Sequence, residues 1–160
     1  MRVSIGQDSH RFTENTENAG CVLGGVLFPE APALSANSDG DVVLHAITNA
    51  YSGITCRNIL GKVADDMCRA GITDSREYLR VAIRDLAERH FVPVHLSITI
   101  ECARPKISPR VEAMRASIAS LTGLPENSIG ITATTGEGLT DFGKGLGISV
   151  FCILTVEECA

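Results

Sequence analysis

The chain has 160 residues, of which 44% are hydrophobic and 21% charged, and its formal net charge is -5. This length allows one domain with a sizeable core and is too short to require two. Aromatic residues make up 4% and Trp is absent, so a nucleic-acid partner, which needs stacking platforms or a basic stripe, is not expected.

The opening of the chain and its cysteines bear on location. No apolar run approaches the roughly 20 residues of a membrane-spanning helix, and "MRVSIGQDSH" lacks the apolar segment of a signal peptide. We therefore expect no membrane partner and a cytoplasmic location. The six cysteines form no Cys-x-x-Cys pair, so buried, unreactive thiols are favoured over a disulfide framework or a thiolate metal site.

The first half of the chain predicts a strand, a hairpin and a helix. "RVSIGQDSHRF" is typical of a strand, "TENTENAG" of a polar loop, and "CVLGGVLFPE" of a short hairpin. The helix lies in "SANSDGDVVLHAITNAYSGI", with Ser38 or Asp39 as its N-cap. The next segment, "RNILGKVADDMCRAG", has no clear period, and we expect a long, mobile loop there.

The second half predicts two more helices and three more strands. One helix begins at "TDSRE" and the other, "SPRVEAMRASIASLTG", ends at Gly123. The strands lie in "VPVHLSITIECARP", "SIGITATTGEG" and "GLGISVFCILTVEE". We therefore predict a single α+β domain over residues 1–160, with a mixed four-stranded sheet, about three helices on one face and a small hairpin.

Asp8 and His10 stand two residues apart in the first predicted strand. Side chains alternate along a strand, so both point to the same face. A turn carboxylate beside a surface imidazole would explain the pair, and so would two ligands of a metal site. The second explanation requires a third ligand from elsewhere in the chain.

His45 is the candidate third ligand. The 3.6-residue period of a helix places it opposite the apolar stripe of the first predicted helix. The other histidines, His90 and His95, are interpreted as surface or hydrogen-bonded side chains. Two imidazoles and one carboxylate suit Zn²⁺ with one coordination position open. Asp41, one turn before His45, could orient the imidazole from behind.

Six blocks of the sequence resemble one known enzyme family. In chain order they are "IGQDSHRF", "LGGV", "NSDGDVVLHAI", "GITDSREYL", "ARPKISP" and "TATTGEGL". Their order and spacing are similar to those of the 2-C-methyl-D-erythritol 2,4-cyclodiphosphate synthases of the non-mevalonate isoprenoid pathway. The similarity covers essentially the whole chain, and the Asp-x-His opening with the Ser-Asp-Gly-Asp-Val-x-x-His helix is its most specific part.

The resemblance implies a phosphorus–oxygen lyase. In this family the 2-phosphate of 4-diphosphocytidyl-2-C-methyl-D-erythritol 2-phosphate attacks the β-phosphorus of the same molecule, which releases CMP and closes the cyclic diphosphate. The family forms homotrimers with central sheets and with active sites shared between adjacent subunits. The expected partners are therefore the cytidine diphosphate substrate and further copies of the chain.

The resemblance also implies the role of individual residues. Zn²⁺ is expected on Asp8, His10 and His45, and Mg²⁺ or Mn²⁺, bound with the substrate diphosphate, on Glu137. The residues expected to act in catalysis are Thr135, Asn37 and Glu137. Asp66 is expected in a lid loop near the erythritol. The full set of expected substrate contacts is Ser9, Ser38, Asp66, Cys102, Ala103, Pro105, Lys106, Ile107, Thr134, Thr135 and Lys144.

The chain departs from the family pattern at a few positions. Asn37 stands where the family has a His, Ile59 where it has an acid that binds ribose, and Gly136 where it has a third Thr. Lys144 replaces an Arg of a central trimer cavity that can hold an isoprenoid diphosphate; it keeps the charge without the bidentate fork. The alternative function is a non-catalytic, metal-binding trimer that binds an isoprenoid or nucleotide diphosphate. A zinc phosphohydrolase is a third interpretation, for which the sequence supplies no base.

Overall fold

The computed structural model describes residues 1–14 and 20–159, so most of the predicted polar loop "TENTENAG" lies outside the described residues. Within these ranges the chain forms six strands and four α-helices. In chain order they are β1 (Arg2–Arg11), β2 (Cys21–Leu23), β3 (Val26–Phe28), α1 (Val42–Thr55), α2 (Lys62–Arg69), α3 (Ser75–Glu88), β4 (Phe91–Glu101), α4 (Val111–Thr122), β5 (Ile129–Thr134) and β6 (Gly147–Glu158).

Four of the strands form one sheet in the order β1-β6-β4-β5. The β1–β6 and β6–β4 pairs are antiparallel and the β4–β5 pair is parallel, so the sheet is mixed, as the sequence predicted. β2 and β3 pair separately as a hairpin. Its turn uses Gly24 and Gly25, both at positive φ, a backbone region that glycine adopts without strain. The prediction of an α+β domain with a small hairpin is confirmed.

One face of the sheet is covered by helices. β6 shows this most clearly, because alternate side chains are fully buried on the helix side: Ile148, Val150, Cys152, Leu154 and Val156. α1 packs on β1 and β6, α3 on α1 and β4, and α4 on β5. The sequence predicted these three helices and the face that they share.

The other face of the sheet presents apolar side chains to solvent in the single chain. Val3 and Ile5 on β1 are each 62% exposed, and Phe151 and Ile153 on β6 are 45% and 44% exposed. Ile5 lies directly opposite Ile153 in the register, so the four side chains form one surface, here called the apolar sheet face. A contiguous apolar patch of this kind marks an interaction surface.

The start of α1 differs from the prediction. Asp41, and neither Ser38 nor Asp39, is the N-cap, and its side chain accepts a hydrogen bond from the Leu44 N–H. Gly40 at φ 72° turns the chain immediately before the cap. The helix therefore starts at Val42, and the Asp39 carboxylate instead accepts hydrogen bonds from the Asp41 N–H and the Ser75 N–H.

The prediction of a long, mobile loop at residues 57–71 is wrong, because α2 lies within this segment. Ala64 is buried and Val63 and Met67 pack partly against the core. Asp66 is paired with Lys62 at 2.6 Å and with Arg69 at 2.8 Å, contacts between residues one turn apart. Two turns of helix contain too few apolar residues for a recognisable period, so the sequence pattern did not reveal α2.

None of the helices in residues 1–14 and 20–159 combines the length and apolar character that crossing a bilayer requires. The six cysteines are free thiols, but only Cys21, Cys102 and Cys152 are buried, so the expectation of buried thiols holds for these three and is wrong for the exposed Cys56 and Cys159. Burial raises the pKa of Cys21 and Cys152 to about 12 and that of Cys102 to about 11. These three thiols therefore stay protonated, which makes them poor nucleophiles and poor metal ligands.

Candidate metal centre and active site

The fold brings Asp8 and His10 to the helix side of β1. They lie opposite Val150 and Ile148 of β6, whose side chains are fully buried under the helices. Gly6 on the same side allows α1 to approach closely, since a Cβ there would overlap the backbone of the helix. Asp8 and His10 therefore reach the first turns of α1 rather than open solvent.

His45 on α1 completes the cluster predicted from the sequence. The ligand atoms of Asp8, His10 and His45 all lie within 4.8 Å of one another. His45 Nδ1 is 3.0 Å from Asp8 Oδ2 and 3.1 Å from His10 Nε2, and His10 Nε2 is 3.2 Å from the same oxygen. His45 is buried, however, because α1 is enclosed on nearly all sides rather than along one stripe.

The size of this triangle fits a zinc ion. Zinc bonds to nitrogen and oxygen are about 2.0–2.2 Å long, and at tetrahedral angles such ligand atoms lie about 3.3 Å apart. The three observed separations, 3.0 to 3.2 Å, come close to one face of such a tetrahedron. Three atoms that carry lone pairs at this distance repel one another unless a cation or a proton lies between them.

The charge of Asp8 also suits a cation. Burial acts to raise the pKa of Asp8, but its contacts with His10 and His45 lower the pKa and outweigh burial. The net result is a pKa well below the usual range of a carboxyl. Asp8 is therefore a carboxylate at neutral pH and can serve as an anionic ligand.

The expected contact between the Asp41 carboxylate and His45 is wrong. Asp41 is fully buried, and its two oxygens accept hydrogen bonds from the N–H groups of Gly24, Gly25 and Leu44. Burial raises the pKa of Asp41 to about 6, and these three hydrogen bonds act in the opposite direction. As the N-cap of α1, Asp41 joins the helix to the β2–β3 turn, and both of its oxygens are hydrogen-bonded there rather than to the imidazole.

Two other residues stand behind His45, and sequence reasoning missed both. Ser75 Oγ is 2.8 Å from His45 Nε2, and the Ser75 hydroxyl in turn contacts the Asp39 carboxylate. Ser75 belongs to the block "GITDSREYL" that contributed to the family resemblance. The block could have drawn attention to Ser75, but nothing in the residue spacing indicated that the start of α3 would reach His45.

An open cavity of about 560 Å³ adjoins the three metal-site residues. Asn37 and Ser38 line it, as the resemblance implied, and so do Cys68 and Tyr78. Cys68 Sγ donates to the Asn37 carbonyl at 3.2 Å and thereby connects α2 to the segment before α1. The cavity therefore has a floor of metal ligands, one wall from residues 35–38 and another from α2.

The structure places Asp65, rather than Asp66, on this cavity. The Asp66 carboxylate is exposed and is occupied by Lys62 and Arg69 on the outer side of α2. Asp66 therefore does not line this cavity, because the helical turn of α2 points the two neighbouring acids in different directions. The expected place of Asp66 near the erythritol stays a prediction. Ile59 is fully buried, so its position does not face the cavity either.

The remaining expected substrate residues form a second group, beyond the ends of β4 and β5. Cys102 N donates to the Thr134 carbonyl at 3.1 Å and Ala103 N to the Phe142 carbonyl at 3.0 Å, so the three segments lie together. In this group Pro105 and Ile107 are buried, like Cys102, and the exposed members are Ala103, Lys106, Thr134, Thr135, Glu137 and Lys144. The Thr135 hydroxyl accepts from the Glu137 N–H at 3.3 Å.

The two groups of residues lie apart in one chain. The register aligns Ser9, Ser149, Glu101 and Thr134 in one row across the sheet. Strands are spaced about 4.8 Å apart, so three steps separate the backbone of Ser9 from that of Thr134 by about 14 Å. Neither residues 102–107 nor 134–137, all within the described ranges, line the cavity at the metal site. Ser9 points to the opposite face of β1 from its neighbours Asp8 and His10.

Comparison with known proteins identifies relatives along the whole chain. The family model described as the YgbB family matches residues 1–157. A Chlamydia caviae protein named 2-C-methyl-D-erythritol 2,4-cyclodiphosphate synthase is 54% identical over 158 residues, which are 98% of this chain and 89% of that protein. A Chlamydia trachomatis serovar L2b protein of the same name is 51% identical, over 98% of this chain and 88% of that one.

Solved structures share the fold. A structure of 2C-methyl-D-erythritol-2,4-cyclodiphosphate synthase in its CDP-bound form gives a TM-score of 0.86 at 29% identity, covering 98% of this chain and 100% of that chain. The bifunctional IspDF of Campylobacter jejuni gives a TM-score of 0.88 at 29% identity, covering 98% of this chain and 42% of that chain. The described fold therefore corresponds to one complete enzyme and to less than half of another.

Proposed function

Because the chain belongs to the YgbB family and is 54% identical to a named synthase, we infer that it catalyses the reaction of those synthases. It is a lyase that converts 4-diphosphocytidyl-2-C-methyl-D-erythritol 2-phosphate into 2-C-methyl-D-erythritol 2,4-cyclodiphosphate. The 2-phosphate oxygen forms a bond to the β-phosphorus, the bond from that phosphorus to the bridging oxygen breaks, and CMP leaves with the electron pair. The observation that carries this conclusion is the full-length family match together with the Asp8, His10 and His45 cluster.

Asp8, His10 and His45 are the residues that would hold zinc. A bound zinc ion supplies Lewis-acid polarisation of a phosphoryl oxygen and offsets the repulsion between two anionic phosphates. The chain itself holds the flexible substrate folded, and such positioning contributes up to roughly 7–11 kcal/mol in favourable intramolecular reactions. No side-chain nucleophile is needed, since the substrate provides both reacting groups.

Asn37 and Ser38 would bind the diphosphate from the wall of the cavity. Both line the cavity beside His45, and their segment leads into the N-terminus of α1, where backbone N–H groups favour anions. The Asn37 amide can donate a hydrogen bond to a phosphate oxygen but carries no charge. Stabilisation of the charge on the substrate diphosphate at this position therefore depends on hydrogen bonding and on the nearby metal.

We propose that the complete active site forms between two copies of the chain. In this arrangement Thr134, Thr135 and Glu137 of one subunit face the metal cavity of the next. Within one chain the backbones of Ser9 and Thr134 are about 14 Å apart across the sheet. Glu137 would hold Mg²⁺ or Mn²⁺ with the substrate diphosphate. Lys106 and its neighbours in residues 102–107 would bind the cytidine, in line with the CDP in the related structure.

The apolar sheet face supports a homotrimer with central sheets. Burying Val3, Ile5, Phe151 and Ile153 would remove the largest apolar side chains of this face from water, at about 25 cal/mol for each Å². A closed ring of three identical subunits would also repeat the composite site three times. Lys144 would lie at the central cavity of that trimer.

The cytoplasmic location and the assignment of residues 1–160 to one synthase domain stay predictions.

The test is to incubate the purified chain with the cytidine diphosphate substrate, zinc and Mg²⁺, and to follow the products by ³¹P NMR. We expect CMP and the cyclic diphosphate in equal amounts. CMP together with a linear phosphate product would indicate a hydrolase. Zinc binding without CMP release would indicate the non-catalytic trimer. A parallel sample with EDTA is the control and should release no CMP.

A further inference from the structure

We propose that Ser75 and Asp39 are positioning residues that commit the Nε2–H of His45 to a buried hydrogen bond and so leave Nδ1 free for the metal. The proposal rests on the zinc site described above and adds two residues outside it. Neither is among the residues expected from the sequence to bind metal or substrate. Both act through His45.

The contact between Ser75 and His45 is buried and short. Ser75 is 0% exposed and His45 is 7% exposed, and the distance from Ser75 Oγ to His45 Nε2 is 2.8 Å. The imidazole thus has its two nitrogens in different surroundings. Nε2 meets a hydroxyl in the interior, and Nδ1 meets Asp8 and His10 at the cavity.

The direction of the hydrogen bonds follows from Asp39. One oxygen of its carboxylate accepts from the Ser75 hydroxyl and from the Asp41 N–H, and the other accepts from the Ser75 N–H. A carboxylate oxygen can only accept, and a serine hydroxyl has a single proton to donate. Because that proton goes to Asp39, Ser75 Oγ can only accept from His45, and Nε2 must carry the hydrogen.

This direction selects the form of the ring that binds metal. In a neutral imidazole one nitrogen carries a hydrogen and the other a lone pair. With the hydrogen on Nε2, the lone pair lies on Nδ1, which faces Asp8 Oδ2 at 3.0 Å. Hydrogen bonds from metal-bound histidines to such partners fix the tautomer and the ring orientation, and their loss typically weakens metal binding 10- to 100-fold.

Other neighbours of His45 do not offer the same constraint. Ser38 Oγ lies 3.5 Å from Nε2 and already accepts from the Gly40 N–H. The Tyr78 ring packs beside the imidazole, with the centroids 6.3 Å apart, while its hydroxyl donates to the Ile72 carbonyl. Among these neighbours, Ser75 is therefore the residue that is close enough to His45 Nε2 and that can only accept its hydrogen bond.

The arrangement also joins the starts of two helices. Ser75 is the first residue of α3, Asp39 precedes α1, and the Asp39 N–H donates to the Thr73 carbonyl at 2.9 Å. His45 is thereby held against α3 while β1 supplies the other two ligands. A shift of α3 relative to α1 would disturb the metal site without contact with the metal.

The experiment compares zinc affinity in full-length variants by competition with a chromophoric chelator. We expect Ser75→Ala to bind zinc about 10- to 100-fold more weakly than the unmodified chain. Ser75→Thr, which keeps the hydroxyl, should recover most of the loss. Asp74→Asn is the matched control, because Asp74 caps the same end of α3 through the Arg76 N–H without touching His45, and its zinc affinity should not change.

A spectroscopic readout separates positioning from general destabilisation. In the zinc-loaded, unmodified chain, ¹H–¹⁵N NMR should show a His45 Nε2–H that exchanges slowly with water, and Ser75→Ala should make that exchange fast. Unchanged zinc affinity in Ser75→Ala, or a rapidly exchanging Nε2–H in the unmodified chain, would overturn the proposal. CMP release by the unmodified chain, measured on the same sample, tests the proposed function separately, and the exchange measurement needs no variant to fold.

Discussion

His45 differs from the other two metal-site residues because it comes from a helix and is held from both sides. Its Nδ1 faces Asp8 and His10, and its Nε2 faces Ser75. Asp8 and His10 come from one strand, so their mutual distance is set locally by β1. The position of His45 relative to them depends on the packing of α1 on β1, and His45 therefore determines whether the three ligands converge.

We predict that His45→Ala abolishes stoichiometric zinc binding and CMP release. Two ligands remain, and the loss of a direct ligand should lower zinc affinity by more than the roughly 100-fold upper range for an outer partner. Zinc content after dialysis, measured by mass spectrometry, tests this. His95→Ala removes an exposed histidine from β4 and serves as the control. Normal zinc content in His45→Ala would remove this residue from the site.

At the scale of elements, α2 decides which acidic side chain reaches the cavity. Its two neighbouring acids point to different sides, with Asp65 on the cavity and Asp66 on the surface between Lys62 and Arg69. α2 is short and carries one buried residue, Ala64. The Cys68 contact with the Asn37 carbonyl joins it to the opposite wall.

We predict that Asp65→Asn and Asp66→Asn differ in their effect on substrate binding. Removing a charged hydrogen-bonding partner costs about 1.5–3 kcal/mol, so KM for Asp65→Asn should rise roughly 10-fold or more. Asp66→Asn alters a surface ion pair and should leave KM unchanged. Steady-state kinetics on both variants test the orientation of α2. The reverse result would mean that Asp66 faces the substrate, as the family resemblance implied.

The contact between α1 and β1 depends on Gly6. A Cβ at this position would overlap the Ala46 carbonyl oxygen and the Ala50 nitrogen, both of which are backbone atoms. Side chains can change rotamer to relieve such a contact, but the backbone of a buried helix cannot. Gly6 therefore sets the separation of the strand that carries Asp8 from the helix that carries His45.

We predict that Gly6→Ala lowers the free energy of unfolding by about 3 kcal/mol or more, because it forces α1 away from β1. The same shift should weaken zinc binding. Gly130→Ala is the control, since its Cβ would meet only the Leu96 oxygen at 3.8 Å, and it should be neutral or slightly stabilising. Urea unfolding of the zinc-free proteins measures the free energy of unfolding of each of the two variants. Equal stability of the two variants would contradict the close approach at Gly6.

At the scale of the whole molecule, one chain carries two separate groups of residues that we propose to be the halves of an active site. The metal cavity lies between β1, α1 and α2, and the segments with Lys106 and Glu137 lie beyond the ends of β4 and β5. The backbones of Ser9 and Thr134 lie about 14 Å apart across the sheet, whose outer face carries exposed apolar side chains. Assembly through that face would let the halves of different subunits meet.

We predict that two inactive variants restore activity when they are mixed. Asp8→Asn damages the metal half and Glu137→Gln the other half, so each trimer of a single variant should be inactive. After co-refolding at equal amounts, random assembly leaves about a quarter of the composite sites intact in a ring of three. CMP release tests the recovery. No recovery would place the whole site within one chain.

The control for this mixing experiment uses the apolar sheet face. Phe151→Glu introduces a charge among Val3, Ile5 and Ile153, and burying an unpaired charge is strongly unfavourable. A chain with this substitution should be monomeric by sedimentation and should still bind zinc, since Asp8, His10 and His45 lie on the helix side. When Phe151→Glu is introduced into both the Asp8→Asn and the Glu137→Gln chains, mixing them should no longer restore activity.

The sequence alone determined the strands, the three long helices and the three residues that could hold a metal ion. Strand alternation placed Asp8 and His10 on one side, and the helical period separated His45 from the apolar stripe. These features depend on neighbours within a few residues along the chain, where side-chain direction follows from backbone geometry. The order of the family-like blocks indicated the activity, which the full-length family match supports.

The tertiary structure alone decided which residues hydrogen-bond to the metal-site side chains from the interior. It also decided how far the metal cavity lies from the group of residues around Thr134 and Glu137. Asp41 turned out to cap α1, while Ser75 and Asp39, from segments more than thirty residues apart in the chain, support His45. The helix α2 and the inward direction of Asp65 were likewise not visible in the pattern. These features depend on the register of the strands and on helix packing, and both are set by contacts between residues distant in sequence.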